Sequence, residues 1–259
     1  MTRPGPGLHH NVTGAEGPPV LLLHGLGSAS RDWAWQIPSL QRRYRVIAVD
    51  LPGHGLSPVA NGPVTIEAMA DGVVGTAAAV APEPAHVVGL SLGACVAVRM
   101  ALQTPDRVRS LTLVNPFACV RPQGPGDCVR LLTRLVLLAT APMPRLAAHV
   151  ARRLFPWPEQ RPLYEAAVAS LAATPRRGYA AAVRALARFD ARGQLAAVRC
   201  PTLVVVGDRD RVVSLDAKLA LAAAIPGARV AVVPGSGHVT PVDRPEVFNR
   251  LLLEFLASH

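Results

Sequence analysis

Charged residues, aromatic residues and long apolar runs are all scarce in this 259-residue sequence. Only 17% of the residues are charged and 4% are aromatic, while 50% are hydrophobic. Such a composition excludes a disordered, collagen-like or coiled-coil chain. Apolar runs such as 131–141, which contains Arg134, are too short or too broken to cross a bilayer, which takes roughly 20 residues. We therefore expect one large globular domain, with no membrane span and no need of a disulfide or metal.

Cysteine is rare, and its positions exclude a disulfide framework or a zinc site. Cys95, Cys119, Cys128 and Cys200 are scattered, with no C-x-x-C pair, which suits reduced thiols. Residues 1–17 show no apolar stretch between a basic start and a small-residue cleavage site, so no signal peptide is predicted. We expect a cytoplasmic protein.

Histidines at metal-ligand spacing are also missing. His9 and His10 look like tail residues, and neither His86 nor His149 has a partner in a pattern such as H-x-x-x-H. No metal and no other cofactor is expected.

Lysine occurs once, at Lys218, although the chain has 27 basic residues and a net charge of +10. Residues 117–195 hold 12 arginines against four acidic residues, a net charge of +8, and the rest of the chain is close to balance. A nucleic-acid-binding protein would place such charge on a recognition motif with interleaved aromatics. Neither is present, so no nucleic-acid partner is expected. Two interpretations stay open: a solvated helical face, or an entrance that attracts an anionic substrate or an acidic carrier protein.

Apolar, β-branched segments alternate with Ala- and Leu-rich segments of helical period, which predicts a doubly wound, mostly parallel α/β sheet. The alternation stops after Asn115 and resumes at Pro201. This divides the chain into a core of residues 1–116 and 196–259 and a helical segment, 117–195, called the cap segment below. The predicted strands are Pro19–Leu23, Arg45–Val49, Ala85–Leu90, Ser110–Val114, Thr202–Val206 and Ala228–Val233.

The motif G-L-S-L-G at 89–93 lies between a predicted strand and a predicted helix. In this context G-x-S-x-G is typical of a nucleophile elbow, a strained turn in which the flanking glycines remove clashing Cβ atoms. The helix that follows points its first N–H groups and positive dipole end at the place where an oxyanion would form. We predict that Ser91 is a nucleophile.

With this motif the sequence resembles the serine-nucleophile branch of the α/β-hydrolase family, over nearly the whole chain except the cap segment. The resemblance implies a sheet of about seven or eight strands, with the helical cap inserted after the sixth. The segment 24–27 is similar to the family's H-G-x-G, which implies oxyanion donors at the backbone N–H groups of Leu26 and Leu92. The motif residues that would support the site are His24, Gly25, Gly27, Gly89 and Gly93.

Three further motifs complete the resemblance. The segment 50–57 is similar to the family's D-x-x-G-x-G-x-S turn, a structural loop in which His54 is taken as structural. The segment G-D-R-D at 207–210 implies Asp210 as the triad carboxylate, with Asp208 as the alternative, and G-S-G-H at 235–238 implies His238 as the base. The chain order Ser, Asp, His agrees with this fold, and each residue follows a predicted strand.

A serine at the elbow argues against a dehalogenase or an epoxide hydrolase, which would carry aspartate there. The resemblance implies a carboxylesterase-like hydrolase that cleaves small to medium esters or lactones through an acyl-enzyme. Three alternatives stay open: a hydrolase of acyl groups on an anionic carrier, a C–C bond hydrolase, and a non-catalytic accessory protein. Leu90 weakens the second, because C–C bond hydrolases typically have asparagine before the nucleophile.

Aromatic residues concentrate in the cap segment, although only 11 occur in the whole chain. Collectively they predict an apolar lid, and individually they suit ordinary helix packing. They are Phe117, Phe155, Trp157, Tyr164, Tyr179 and Phe189.

Overall fold

The computed structural model describes residues 7–14, 16–59, 62–120 and 124–259, so a few residues of the predicted core and cap segment lie outside these ranges. The strands are β1 (His10–Thr13), β2 (Pro19–Leu23), β3 (Arg45–Val49), β4 (Ala85–Leu90), β5 (Val108–Val114), β6 (Thr202–Gly207) and β7 (Arg229–Val233). They form one seven-stranded sheet in the order β1-β3-β2-β4-β5-β6-β7. Only the β1–β3 pair is antiparallel. The predicted doubly wound, mostly parallel sheet is confirmed.

Helices connect the parallel strands and cover both faces of the sheet. The helices are α1 (Ile37–Leu40), α2 (Ile66–Val80), α3 (Leu92–Gln103), α4 (Pro125–Thr140), α5 (Met143–Leu154), α6 (Arg161–Ala173), α7 (Arg176–Arg188), α8 (Leu215–Ala224), α9 (Thr240–Asp243) and α10 (Pro245–Ala257). Side chains of α2, α3 and α8 form one buried layer, and side chains of α10 form the other. Strands β2, β4 and β6 are buried along their whole length, which is why each appears in the sequence as a continuous apolar run.

The edge strand β1 differs from the prediction that His9 and His10 are tail residues. His10 opens β1 and pairs with Val49 of β3, while His9 Nδ1 lies 2.9 Å from Asp50 Oδ2. The segment H-N-V-T is short, polar and half exposed. It therefore lacks the apolar pattern by which buried strands are recognised.

Helices α4–α7 all lie between β5 and β6, inside the cap segment. The expected position after the sixth strand is wrong by one for the described residues, because a single strand, β1, precedes β2 there. The cap segment also has a small apolar cluster of its own. Its buried members are Leu146, Ala147, Ala151, Leu171 and Tyr179.

Two kinds of feature are absent from the described residues. No helix in these ranges is both long and apolar enough to cross a membrane. Nor do three or more His, Cys, Asp or Glu side chains come together there as a metal site would require.

Candidate active site

Ser91 occupies a sharp turn between β4 and α3. Its φ of 53° and ψ of −108° lie in a region that costs a residue with a side chain on the order of 1–3 kcal/mol. The turn is fastened to the neighbouring strand, since Ser91 N–H donates to Val114 O at 3.0 Å. The backbone geometry predicted for a nucleophile elbow is therefore present.

Two glycines make this turn sterically possible. A Cβ atom on Gly89 would collide with the carbonyl of Gly93, and a Cβ atom on Gly93 would collide with Leu23 O at the end of β2. Both collisions involve backbone atoms, which have no rotamer by which to move away. The G-x-S-x-G spacing is thus a packing requirement of the turn.

His238 and Asp210 form a buried pair at the ends of β7 and β6. His238 Nδ1 lies 2.8 Å from Asp210 Oδ2, and the two side chains are 6% and 1% exposed. A carboxylate accepts hydrogen bonds, so Nδ1 carries the proton and Nε2 is left as an acceptor. Asp208, the alternative acid, is exposed and instead accepts from Gly235 N–H at 2.7 Å. The structure brings Asp210, and not Asp208, to the imidazole.

Asp210 has three partners besides His238. Its Oδ1 accepts from the N–H groups of Val212, at 2.6 Å, and Val213, at 3.2 Å. Its Oδ2 also lies 2.8 Å from Lys218 Nζ of α8. Burial raises the pKa of Asp210, but attraction and hydrogen bonding from His238, followed by those from Lys218, outweigh it and hold that pKa well below its usual range. The carboxylate is therefore ionised at neutral pH.

Asn115 joins the loops that carry the acid and the base, and sequence analysis missed it. It follows β5, is fully buried, and adopts a φ of 45°. Its Oδ1 accepts from Gly207 N–H at 2.9 Å, and its Nδ2 lies 2.8 Å from His238 O. A polar residue directly after a buried parallel strand is the signal that could have identified it.

Ser91 and His238 are connected through the end of β5. Ser91 N–H is bonded to Val114, and the next residue, Asn115, holds the carbonyl of His238. Within the described ranges, however, no hydrogen bond joins Ser91 Oγ to the His238 ring. Nucleophile–base bonds are often long in free enzymes and shorten in the substrate complex.

The two predicted oxyanion donors belong to two different loops, the elbow and the loop after β2. Leu92 is the first residue of α3, where the backbone N–H has no acceptor within the helix. Leu26 lies in the loop after β2, and neither N–H donates to another group in the described part of the chain. Both donors are therefore free for a substrate oxygen.

His24 fixes the loop that carries Leu26. Its Nδ1 lies 2.7 Å from Gly25 O, and its Nε2 accepts from Leu51 N–H at 2.9 Å. Burial lowers the pKa of His24 to about 4, so this imidazole is neutral at pH 7 with both ring nitrogens occupied. His24 therefore links the loop after β2 to the loop after β3.

The turn at 50–57 is also held by buried polar groups. Asp50 accepts from Ser30 N–H at 2.6 Å and from Leu56 N–H at 2.9 Å. His54 lies in this turn and is fully buried. Burial, together with repulsion from His24, lowers the pKa of His54 to about 3. The structure therefore agrees with a structural assignment for His54.

The cap segment contacts the loop that carries Asp210. The Trp157 ring lies between two guanidinium groups, Arg209 at 5.7 Å and Arg211 at 5.3 Å from its centroid. Arg153 of α5 donates to the carbonyl of Arg211. The end of α5 and the residues after it thus cover the acid side of the site.

The cap aromatics divide into two groups. Phe155, Tyr179 and Phe189 are buried in packing, whereas Phe117, Trp157 and Tyr164 are partly exposed. Tyr179 also accepts from Arg134 Nε at 3.0 Å. Half of the set therefore serves the interior, and the other half is accessible.

Comparisons with known proteins agree with this fold. Residues 18–245 match the family described as alpha/beta hydrolase fold. A protein of Azorhizobium caulinodans named "Putative carbamate hydrolase RutD" is 35% identical, over 96% of this chain and 94% of that protein. The pimeloyl-[acyl-carrier protein] methyl ester esterase of Methylococcus capsulatus is 32% identical, over 95% of this chain and 97% of that protein.

A similar architecture is found among solved structures. The enol-lactonase from Burkholderia xenovorans LB400 has a TM-score of 0.89 and 27% identity, over 96% of this chain and 96% of that one. The names of these three proteins indicate three different scissile bonds: a carbamate, a methyl ester and an enol-lactone.

Proposed function

Because this chain belongs to the α/β-hydrolase fold family, we propose that it is a serine hydrolase of carboxylic esters or lactones with small to medium acyl groups. Ser91 is the nucleophile, His238 the general base and Asp210 the carboxylate that orients it. The observation that carries the proposal is the buried Asp210–His238 pair, linked through Asn115 and Val114 to a strained serine. Such strain is stored where function uses it.

The proposed reaction has two halves. Ser91 Oγ attacks the carbonyl carbon while its proton passes to His238 Nε2, and the resulting oxyanion accepts from the N–H groups of Leu26 and Leu92. His238 then gives the proton to the leaving oxygen, the carbon–oxygen bond breaks, and an acyl-enzyme remains. Water attacks this ester, its proton passes through His238 to Ser91 Oγ, and the carboxylic acid is released.

Each part of the site has a specific task in this scheme. Imidazole must be neutral to accept the proton, and the Asp210 carboxylate stabilises the imidazolium that forms. Each oxyanion donor is worth about 3 kcal/mol of barrier. His24 takes no part in proton transfer, because Leu51 N–H occupies its Nε2.

A panel of nitrophenyl esters, from acetate to laurate, tests the proposal. The wild type is expected to turn over the short or medium esters, Ser91→Ala to turn over none, and the exposed Ser258→Ala, as a matched control, to behave like the wild type. A serine-directed phosphonate should add one equivalent, on the peptide that contains Ser91. A folded wild type that hydrolyses none of the esters would refute the ester assignment.

An anionic carrier is a second candidate source of the acyl group. A cavity of about 760 Å³ lies between α7 and the segment 62–64. Its charged lining consists of arginines with no acidic residue: Arg176, Arg177, Arg184 and Arg188. The same helix carries Tyr179, which packs on Gly27 of the oxyanion loop. An acidic partner held in this cavity would lie against the helix that packs on the predicted oxyanion loop, which favours ester-linked acyl groups on an acidic carrier.

Salt dependence separates the two sources. With an acyl ester on an acidic carrier protein, kcat/KM is expected to fall steeply as ionic strength rises, and to fall about tenfold in Arg184→Gln/Arg188→Gln. The exposed pair Arg42→Gln/Arg43→Gln removes the same charge elsewhere and serves as control. Equal losses in both double variants, or no preference for the carrier over a free ester, would contradict the carrier candidate.

A further inference from the structure

The only lysine of the chain lies against the carboxylate of the candidate triad. Lys218 is fully buried on α8, and the remaining 26 Lys and Arg positions are all arginine. Its Nζ lies 2.8 Å from Asp210 Oδ2 and 3.1 Å from Gly207 O. In the sequence, Lys218 is conspicuous only for its rarity, and no motif predicts a role for it.

The ammonium shares an acceptor atom with the imidazole. His238 Nδ1 is also 2.8 Å from Asp210 Oδ2, so the two nitrogens lie within about 6 Å of each other, a range over which like charges repel. A planar guanidinium is bulkier and strongly favours bidentate contacts, whereas an ammonium is a compact point charge. The single lysine of this arginine-rich chain thus lies where a compact cation contacts one carboxylate oxygen.

Other charged groups surround this pair at greater remove. None of them is bonded to Asp210 Oδ2 among the described residues. Asp208 accepts a hydrogen bond from Gly235 N–H, and Asp243 accepts one from Gly237 N–H. Arg244 donates to the backbone carbonyl of Asp243. The remaining cations near the acid loop are Arg153 of α5 and the ring-stacked Arg209 and Arg211.

We propose that Lys218 is a positioning residue that neutralises part of the charge of Asp210 and thereby weakens His238 as a base. When His238 accepts a proton, the new imidazolium faces an ammonium as well as a carboxylate. The protonated ring is therefore less favoured than beside aspartate alone, and the enzyme stays active at lower pH and returns the proton more readily to the leaving group. This inference rests on the proposed function for its kinetic part, but its electrostatic part can be measured without turnover.

A pH profile of variants gives the kinetic test. In Lys218→Met, which is close in shape and uncharged, the acid limb of kcat/KM for a nitrophenyl ester is expected to shift upward by about one pH unit. Lys218→Gln, which keeps an N–H for Gly207 O, should shift it in the same direction. Arg250→Met, exposed on α10, removes the same net charge and should leave the limb in place. A limb unchanged in both folded Lys218 variants would overturn the proposal, because a purely structural role would lower only stability or overall rate.

The wild type provides a second test that needs neither activity nor a stable Lys218 variant. Lysine labelled with ¹³C at Cε gives one NMR signal in this chain, and ¹³C-histidine reports the His238 ring, identified by its loss in His238→Gln. The lysine signal is expected to show the shift of a charged ammonium at pH 7 and a step where His238 titrates, and His238→Gln should abolish that step. A lysine that is neutral at pH 7, or that shows no step, would overturn the proposal. Failure of ester turnover with this coupling present would count against the proposed function alone.

Discussion

The molecule has two buried clusters of histidine and carboxylate, one at each side of the elbow, and they differ in what the second ring nitrogen does. At the β2–β3 side, both ring nitrogens of His24 are hydrogen-bonded to backbone groups. The Asp50 carboxylate there accepts from backbone N–H groups and contacts His9 Nδ1. At the β6–β7 side, Asp210 binds one nitrogen of His238 and leaves the other open. Of these two buried histidines, His238 is therefore the one whose hydrogen bonding suits the proposed base, because a carboxylate holds one ring nitrogen and the described residues leave the other without a partner.

The largest expected effect comes from exchanging the two histidines for glutamine in turn. His238→Gln should lower kcat for a reactive ester by about 10⁶-fold, as removal of a base in such triads does, with little change in Tm. His24→Gln should keep kcat within about tenfold but lower the free energy of unfolding by about 2 kcal/mol, because two buried backbone groups lose their partners. Steady-state kinetics and urea unfolding of both variants check this. An inactive but stable His24→Gln would erase the distinction between the clusters.

The paired carboxylates should differ in the same sense, with a smaller kinetic effect. Asp210→Asn keeps the shape but presents an amide to His238 Nδ1, so kcat is expected to fall about 10⁴-fold. Asp50→Asn should leave kcat nearly unchanged and lower Tm, because the amide NH2 replaces one carboxylate oxygen and would face one of two backbone donors, Ser30 N–H or Leu56 N–H. The ratio of the two kcat values is the measurement. A ratio near one would show that the acid has been assigned to the wrong residue.

The last expected effect concerns the pH dependence of stability, with no change in chemistry at the site, and needs no variant. The pKa values of His24 and His86 are lowered by burial to about 4, and that of His54 to about 3. Because the pKa is lowered in the folded state, the unfolded chain binds protons at a higher pH than the folded protein. The contribution of each ring to the free energy of unfolding is therefore fully present above about pH 6.5 and is lost as the pH falls toward 4. Each histidine should contribute about 1.4 kcal/mol of loss per pH unit in this window. Urea unfolding at pH 7, 5.5 and 4.5 checks it, and a midpoint that does not change over this range would contradict the neutral, buried state of these rings.

Sequence patterns predicted most of the sheet, because six of its strands consist mostly of apolar residues. They did not predict β1, whose four residues are polar and pair only along one edge. They also placed the start of β5 at Ser110, whereas the strand begins at Val108 and includes the exposed Arg109. Continuous apolar runs identify strands by burial, so a residue at a strand end that faces solvent escapes them.

For the candidate site, the motifs specified the groups that follow strand ends in short, fixed spacing. The elbow at Ser91 and the pairing of Asp210 with His238 have the expected geometry. Asn115 and Lys218 were not predicted. Asn115 bonds to a loop more than 120 residues away, and Lys218 lies in a helix whose residues, apart from Lys218 itself and Asp216, are apolar. Such contacts are a property of the fold and leave no local pattern.

Because Lys218 is the only lysine of the chain and is buried, chemical modification of its amine can report local opening of the fold. An acylating reagent can reach the ε-amino group only in molecules whose helix α8 has moved away from Asp210, since the side chain is fully buried in the closed state. A single mass increment on one peptide therefore counts openings of the acid loop, without interference from other lysines. The rate of that increment, compared with the rate of global unfolding, would show whether this side of the protein opens alone or only with the whole domain.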